Sequence, residues 1–186
     1  MTMGPYHAVV VHFPIALLVT ATLVIALRAF SDGPLALATD RALVPLLTLG
    51  VLSAVAAFAV GLLVWPMEAT FSSPLGRNHV LAAAWTVAYW TLLLATRWLQ
   101  GPAIWDGVTR WIMLGLACVG GLLLAITGSF GGHLMGTPTA ASQALRLMGW
   151  EIYTTYYVPD ATLALIVVSA VALAALGLWG RRTSAA

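Results

Sequence analysis

Five long apolar stretches leave this chain few ways to fold. A bilayer core is crossed by about 17 to 25 apolar residues in a helix rising about 1.5 Å per residue. The stretches run approximately from Ala8 to Ala29, Leu43 to Trp65, His79 to Trp98, Val108 to Phe130 and Ala161 to Trp179. Hydrocarbon offers no water to backbone N–H and C=O groups, so each segment must satisfy its own. The prediction is an all-α integral membrane bundle of five transmembrane helices, a four-helix core plus a fifth span. Composition agrees: 61% of the residues are hydrophobic, 8% are charged, and the mean hydropathy is +0.97, which excludes a water-soluble globule.

At 186 residues the chain holds one transmembrane domain, residues 1–186, and its short polar connections leave no place for a fused soluble module. The single cysteine, Cys118, lies mid-span and forms no internal disulfide. No CxxCH motif is present, which excludes covalent c-type haem. No repeat or charge block occurs, and membrane lipid rather than nucleic acid is the expected environment. The first span lacks the basic flank of a signal peptide and exceeds the usual apolar length of one, so it reads as a retained helix.

Alternating direction puts the starts of the first, third and fifth spans on one side with the ends of the second and fourth. That side carries all four histidines, His7, His12, His79 and His133, but of eight arginines only Arg77 and Arg146. The other six lie opposite: Arg28, Arg41, Arg97, Arg110, Arg181 and Arg182. Basic residues mark the cytoplasmic side, so the N-terminus and the histidines are expected outside. Trp65 and Trp150 at one level, and Trp98, Trp105, Trp111 and Trp179 at the other, fit aromatic belts. Trp85 and Trp90, inside the third span, read as packing residues. Outside, residues 140–153 read as a short interfacial helix roofing the histidines, with Leu145, Leu147, Met148 and Trp150 toward lipid.

An ionisable group inside a membrane is by default a functional candidate. His12 sits one turn into apolar sequence ahead of Pro14, which kinks or starts the helix there. His7 lies five residues earlier, about 140° around the helix, so the two do not share one metal from a regular helix. His7 reads as the most exposed of the four. His79 follows Arg77, a candidate partner for a haem propionate. His133 closes a glycine-rich run, Gly128-Ser129-Phe130-Gly131-Gly132-His133, where small residues allow close approach of a helix or a porphyrin. Imidazoles from separate helices suit haem iron, with copper an alternative because Met67 and Met135 lie at the same end. Glu68, Glu151 and Asp160 read as ordinary loop carboxylates, although each is a candidate acceptor for a quinol proton.

At Val11-His12-Phe13-Pro14-Ile15, preceded by His7, the chain resembles the bacterial membrane family known as domain of unknown function 2231. Arg77-Asn78-His79 and Gly131-Gly132-His133-Leu134 are similar to later motifs of that family. The resemblance covers about residues 6–135 and breaks off at Met135-Gly136-Thr137-Pro138, before the external segment and fifth helix of 136–186. Its members occur beside or fused to Rieske and cytochrome c domains, which implies a redox role in the bacterial inner membrane.

The expected protein is therefore a membrane-embedded electron-transfer subunit rather than a stand-alone enzyme. It would carry one or two b-type haems and link quinol or quinone with a periplasmic cytochrome c or Rieske-type partner, alone or in a larger respiratory complex. His12 and His133 are the expected axial pair, His79 the next ligand and His7 a ligand of a second haem. The alternatives are a noncatalytic scaffold for a soluble redox partner, its histidines hydrogen-bonding a roof, and a copper-binding membrane protein.

Overall fold

The computed structural model describes residues 4–149 together with 153, 154, 164, 165 and 168. Every regular element among them is helical: α1 (Gly4–Val10), α2 (His12–Phe30), α3 (Pro34–Val64), α4 (Met67–Ser72), α5 (Pro74–Gln100), a 3₁₀ turn (Gly101–Trp105), α6 (Thr109–Leu134) and α7 (Ala140–Leu147). Four segments are long and apolar enough to cross a membrane, Tyr6–Phe30, Pro34–Val64, Pro74–Trp105 and Thr109–Leu134. The protein is thus an all-helical, multi-pass membrane protein. The fifth expected span, 161–179, falls almost wholly outside the described residues.

Local chemistry explains the boundaries. Pro14 has no N–H for the Val10 carbonyl, and α1 and α2 part at Val11. Val11 nevertheless keeps helical angles, φ −64° and ψ −21°, so the chain stays on one path through the break. α3 begins at Pro34, nine residues before the apolar run at Leu43. Asp40 and Arg41 lower the hydropathy of that stretch, but its leucines and alanines favour helix all the same. At the start of α5, Pro74 occupies the first helical position and the Ser73 hydroxyl accepts the Gly76 N–H at 3.0 Å. The polar segment from Glu68 to Asn78 is therefore α4 plus the first turn of α5.

The helices pack as antiparallel pairs in fixed register. Along α2 and α3, Leu18 fills the notch at Gly50, and toward the histidine end His7 of α1 meets Gly61 of α3. Along α5 and α6, Trp90 lies against Gly120 and His79 against Gly131. Leu18, Ile25, Leu43, Leu47, Trp90, Leu93 and Met113 form the centre of the core. Leu63, at 85% exposed, and Leu23, at 65%, point outward, a surface that suits lipid and would aggregate in water.

The arginine end is closed by charge. Arg97 of α5 donates to both oxygens of Asp40 of α3, at 3.0 and 3.1 Å, and the Trp105 indole N–H donates to Asp40 Oδ1 at 3.0 Å. The Trp105 ring lies 5.4 Å from the Arg28 guanidinium and 5.9 Å from that of Arg97. Trp105 is buried in this network instead of joining the interfacial belt expected from its position, because its N–H finds a carboxylate. Trp65, Trp98 and Trp111 are exposed, as belt residues are.

Asp32, in the loop between α2 and α3, is gripped by Arg28 and by Arg110 of α6. Hydrogen bonds from Arg28 first and Arg110 second hold its carboxyl below the ordinary value of 3.8. A depressed carboxyl contributes stability that is complete above its unfolded value and lost as pH falls through its folded one. Acid unfolding should therefore steepen below about pH 4, and Asp32→Asn should flatten that limb. An identical acid limb in the variant, followed by helical circular dichroism, would count against the linkage.

Candidate functional site

The histidine end is assembled by α1, the last turns of α3 and α6, the first turns of α5, and α7. Helix α1 turns His7 inward. Its ring lies over Gly61, with Cε1 2.9 Å from where a Cβ would stand, and near the Ala57 carbonyl. The buried Nδ1 of His7 makes no hydrogen bond of ordinary geometry. By sequence position this histidine is expected to be the most exposed, because it precedes the apolar run; continuation of the helix back to Gly4 sets its azimuth toward α3 instead.

His79 comes from α5. Its Nδ1 is 3.2 Å from the Thr127 carbonyl, and its Cε1 is 3.2 Å from the Cβ position of Gly131. A carbonyl only accepts, so Nδ1 carries the proton and Nε2 keeps a free lone pair, the arrangement typical of a histidine set to ligate a metal. Thr127 is itself fixed by its hydroxyl, 2.8 Å from that of the buried Thr86. A polar ladder thus holds the α5–α6 contact that supports His79.

His12 and His133 occupy different environments. His12 is exposed on the outer surface of α2, and its Nδ1 lies 2.6 Å from the Ala8 carbonyl one turn back. His7 and His12 face different ways, as their angular offset requires. His133 is buried at the end of α6, with Nε2 2.6 Å from the Ser142 hydroxyl and Nδ1 3.0 Å from the Tyr153 hydroxyl. Both of its nitrogens are thus engaged by protein groups, and no contact joins it to His12. Among the described residues, His7 and His79 are the two histidines whose rings are set against glycines, Gly61 and Gly131.

Around them, Arg77 is half-buried and already engaged with a neighbouring group. Asn78 is buried and leaves its Nδ2 without a partner. Glu68 is exposed in the first turn of α4, while Glu151 and Asp160 lie outside the described residues. Met67 and Met135 are both exposed, and no group of three or more histidine, cysteine or acidic side chains gathers among the described residues to hold a metal ion. The expected roof is present as α7 over 140–147, with Leu147 and Met148 exposed; Trp150 lies outside the described residues. The donors nearest to a cofactor site are therefore two imidazoles from separate helices. Each lies against a glycine whose missing Cβ leaves it room, and one has an unpartnered nitrogen. Two imidazoles are fewer donors than the three or four that a protein-bound metal ion such as zinc takes.

No protein-family model, curated protein or solved structure matches this chain.

Proposed function

We propose that this protein is a membrane-embedded b-type-haem electron-transfer subunit whose haem is ligated by His7 and His79. The observation that carries the reading is the inward pair itself: two imidazoles from the first and third spans, each set against a glycine, Gly61 and Gly131. Haem, when bound, supplies one-electron chemistry, and the protein supplies ligands, burial and orientation. The Thr127 carbonyl would hold the His79 ring and leave Nε2 for iron, and the unpartnered Nδ2 of Asn78 is a donor at the same end. In this reading the histidine end faces the bacterial periplasm, opposite the six-arginine side, where a cytochrome c or Rieske-type protein would exchange electrons with it. Membrane quinol or quinone is the proposed second redox partner.

The test is spectroscopic. Protein purified from haem-supplied membranes should show a b-type α-band in reduced-minus-oxidised spectra. The band should fall at least about tenfold, the loss that follows removal of a ligand or its orienting partner, in His7→Ala and in His79→Ala. It should persist in His12→Ala and His133→Ala. A wild-type protein without the band would sink the haem reading, and a band untouched by both inner variants would sink the ligand assignment. A second reading, a noncatalytic scaffold for a soluble redox partner, is favoured by one observation: His133 does what a roof-bonding histidine does, holding Ser142 and Tyr153.

A further inference from the structure

The sequence Gly131-Gly132-His133 distributes three tasks over three consecutive residues. Gly131 faces the His79 ring. Gly132 faces the returning chain: a Cβ there would stand 2.8 Å from the Thr137 carbonyl oxygen, and the Thr137 N–H donates to the Gly132 carbonyl at 2.8 Å. The reversal that brings the chain back passes through Gly136, whose φ of 73° favours glycine. His133 then reaches the segment from both ring nitrogens.

Counting protons gives those bonds a direction. Ser142 Oγ lies 2.8 Å from the Thr139 carbonyl, which only accepts, so the single hydroxyl proton of Ser142 goes there. His133 Nε2, 2.6 Å from the same oxygen, must then be the donor. In a neutral imidazole Nδ1 is left unprotonated and accepts from the Tyr153 hydroxyl at 3.0 Å. The chain runs Tyr153 O–H to Nδ1, Nε2–H to Ser142 Oγ, Ser142 O–H to Thr139 carbonyl. Each member has its partner. A Ser–His contact this short otherwise invites a nucleophile reading, but Ser142 is fully buried and its proton is committed to Thr139, away from the imidazole.

We infer that His133 is the clasp of a releasable strap: it pins residues 137–149 and Tyr153 onto the outer end of α6, on the turn that also supports His79. The same segment is also tied to α6 by the Gly132 contact, by the Thr137 hydroxyl donating to the Gly132 carbonyl at 3.0 Å and by the Thr139 hydroxyl donating to that of Ser129 at 3.0 Å, while the clasp engages α7 through Ser142. This device needs no haem and stands apart from the proposed ligand pair.

Tryptic cleavage after Arg146, within α7, reports release of the strap in full-length protein in nanodiscs, because cleavage tracks the open population when reclosing is fast. Ser142→Ala and Tyr153→Phe should each speed that cleavage about fivefold, the population change that loss of one neutral hydrogen bond produces. His133→Ala, which removes both, should act more strongly than either. Cleavage after Arg97, inside the buried network at the other end, should stay at the wild-type rate and separate strap release from unfolding of the bundle. If Ser142→Ala and Tyr153→Phe both remain within twofold of wild type at Arg146, or if Arg97 becomes equally sensitive, the clasp is overturned.

Discussion

Asp40→Ala is expected to destabilise the bundle by about 3–5 kcal/mol, the cost of removing one partner from a buried ion pair. The side chains of Arg97 and Asp40 are 7% and 13% exposed, so little solvent is present to take over from the carboxylate. Its loss would strand the Arg97 guanidinium and the Trp105 indole N–H together, since both donate to it. The same residues tie α3, α5 and the 3₁₀ turn, while Arg28 connects α2 to them across the Trp105 ring. Unfolding by a denaturing detergent in mixed micelles, followed by circular dichroism, measures the effect. The double variant Asp40→Ala/Arg97→Leu should recover most of it, because what is costly is the uncompensated charge and not the absence of the pair. A single variant losing less than about 1 kcal/mol, the scale of an exposed pair, would show that water reaches the site.

The contrast between Asp40 and the histidines shows what apolar patterning conveys and what it hides. Span existence and order depend on local hydropathy, and the first four stretches are helices in that order. Pairing across helices depends on azimuth and register, which a single sequence leaves open. His7 and His12 are both flanked by apolar residues, yet Gly61 receives one and the other lies outside. The glycines beside His133 mark it as a ligand candidate in the sequence, and in the fold Gly131 faces His79 while Gly132 faces Thr137 and Thr139. Asp40 carried a usable signal, a lone carboxylate one turn before an apolar run that also has an arginine beside it. Its partner stands 57 residues away, which local pattern does not reveal. Trp105 departs from the belt for a related reason: an interfacial depth is common to belt residues and to a tryptophan turned inward onto a charge.

Trp90→Ala should cost about 3 kcal/mol, the lower end of the range for truncating a buried aromatic in a water-soluble core. The lower end applies because lipid solvates an exposed ring nearly as well as the core does, leaving packing as the main loss. Trp90 is fully buried, and its Nε1–H donates to the Gly120 carbonyl at 3.2 Å. A Cβ on Gly120 would stand 2.9 Å from two carbons of that ring. The indole is held by its hydrogen bond and by its neighbours, so it has little freedom to give way, and Gly120→Ala should itself cost about 1–3 kcal/mol as an overpacking change. Shape complementarity of this kind predicts strong coupling between the two sites. On a Trp90→Leu background, Gly120→Ala should become nearly neutral, because the smaller side chain vacates the space that the methyl group needs. Additive costs across this double-mutant cycle would mean that α5 and α6 separate as rigid bodies and that the glycine notch does not set their distance.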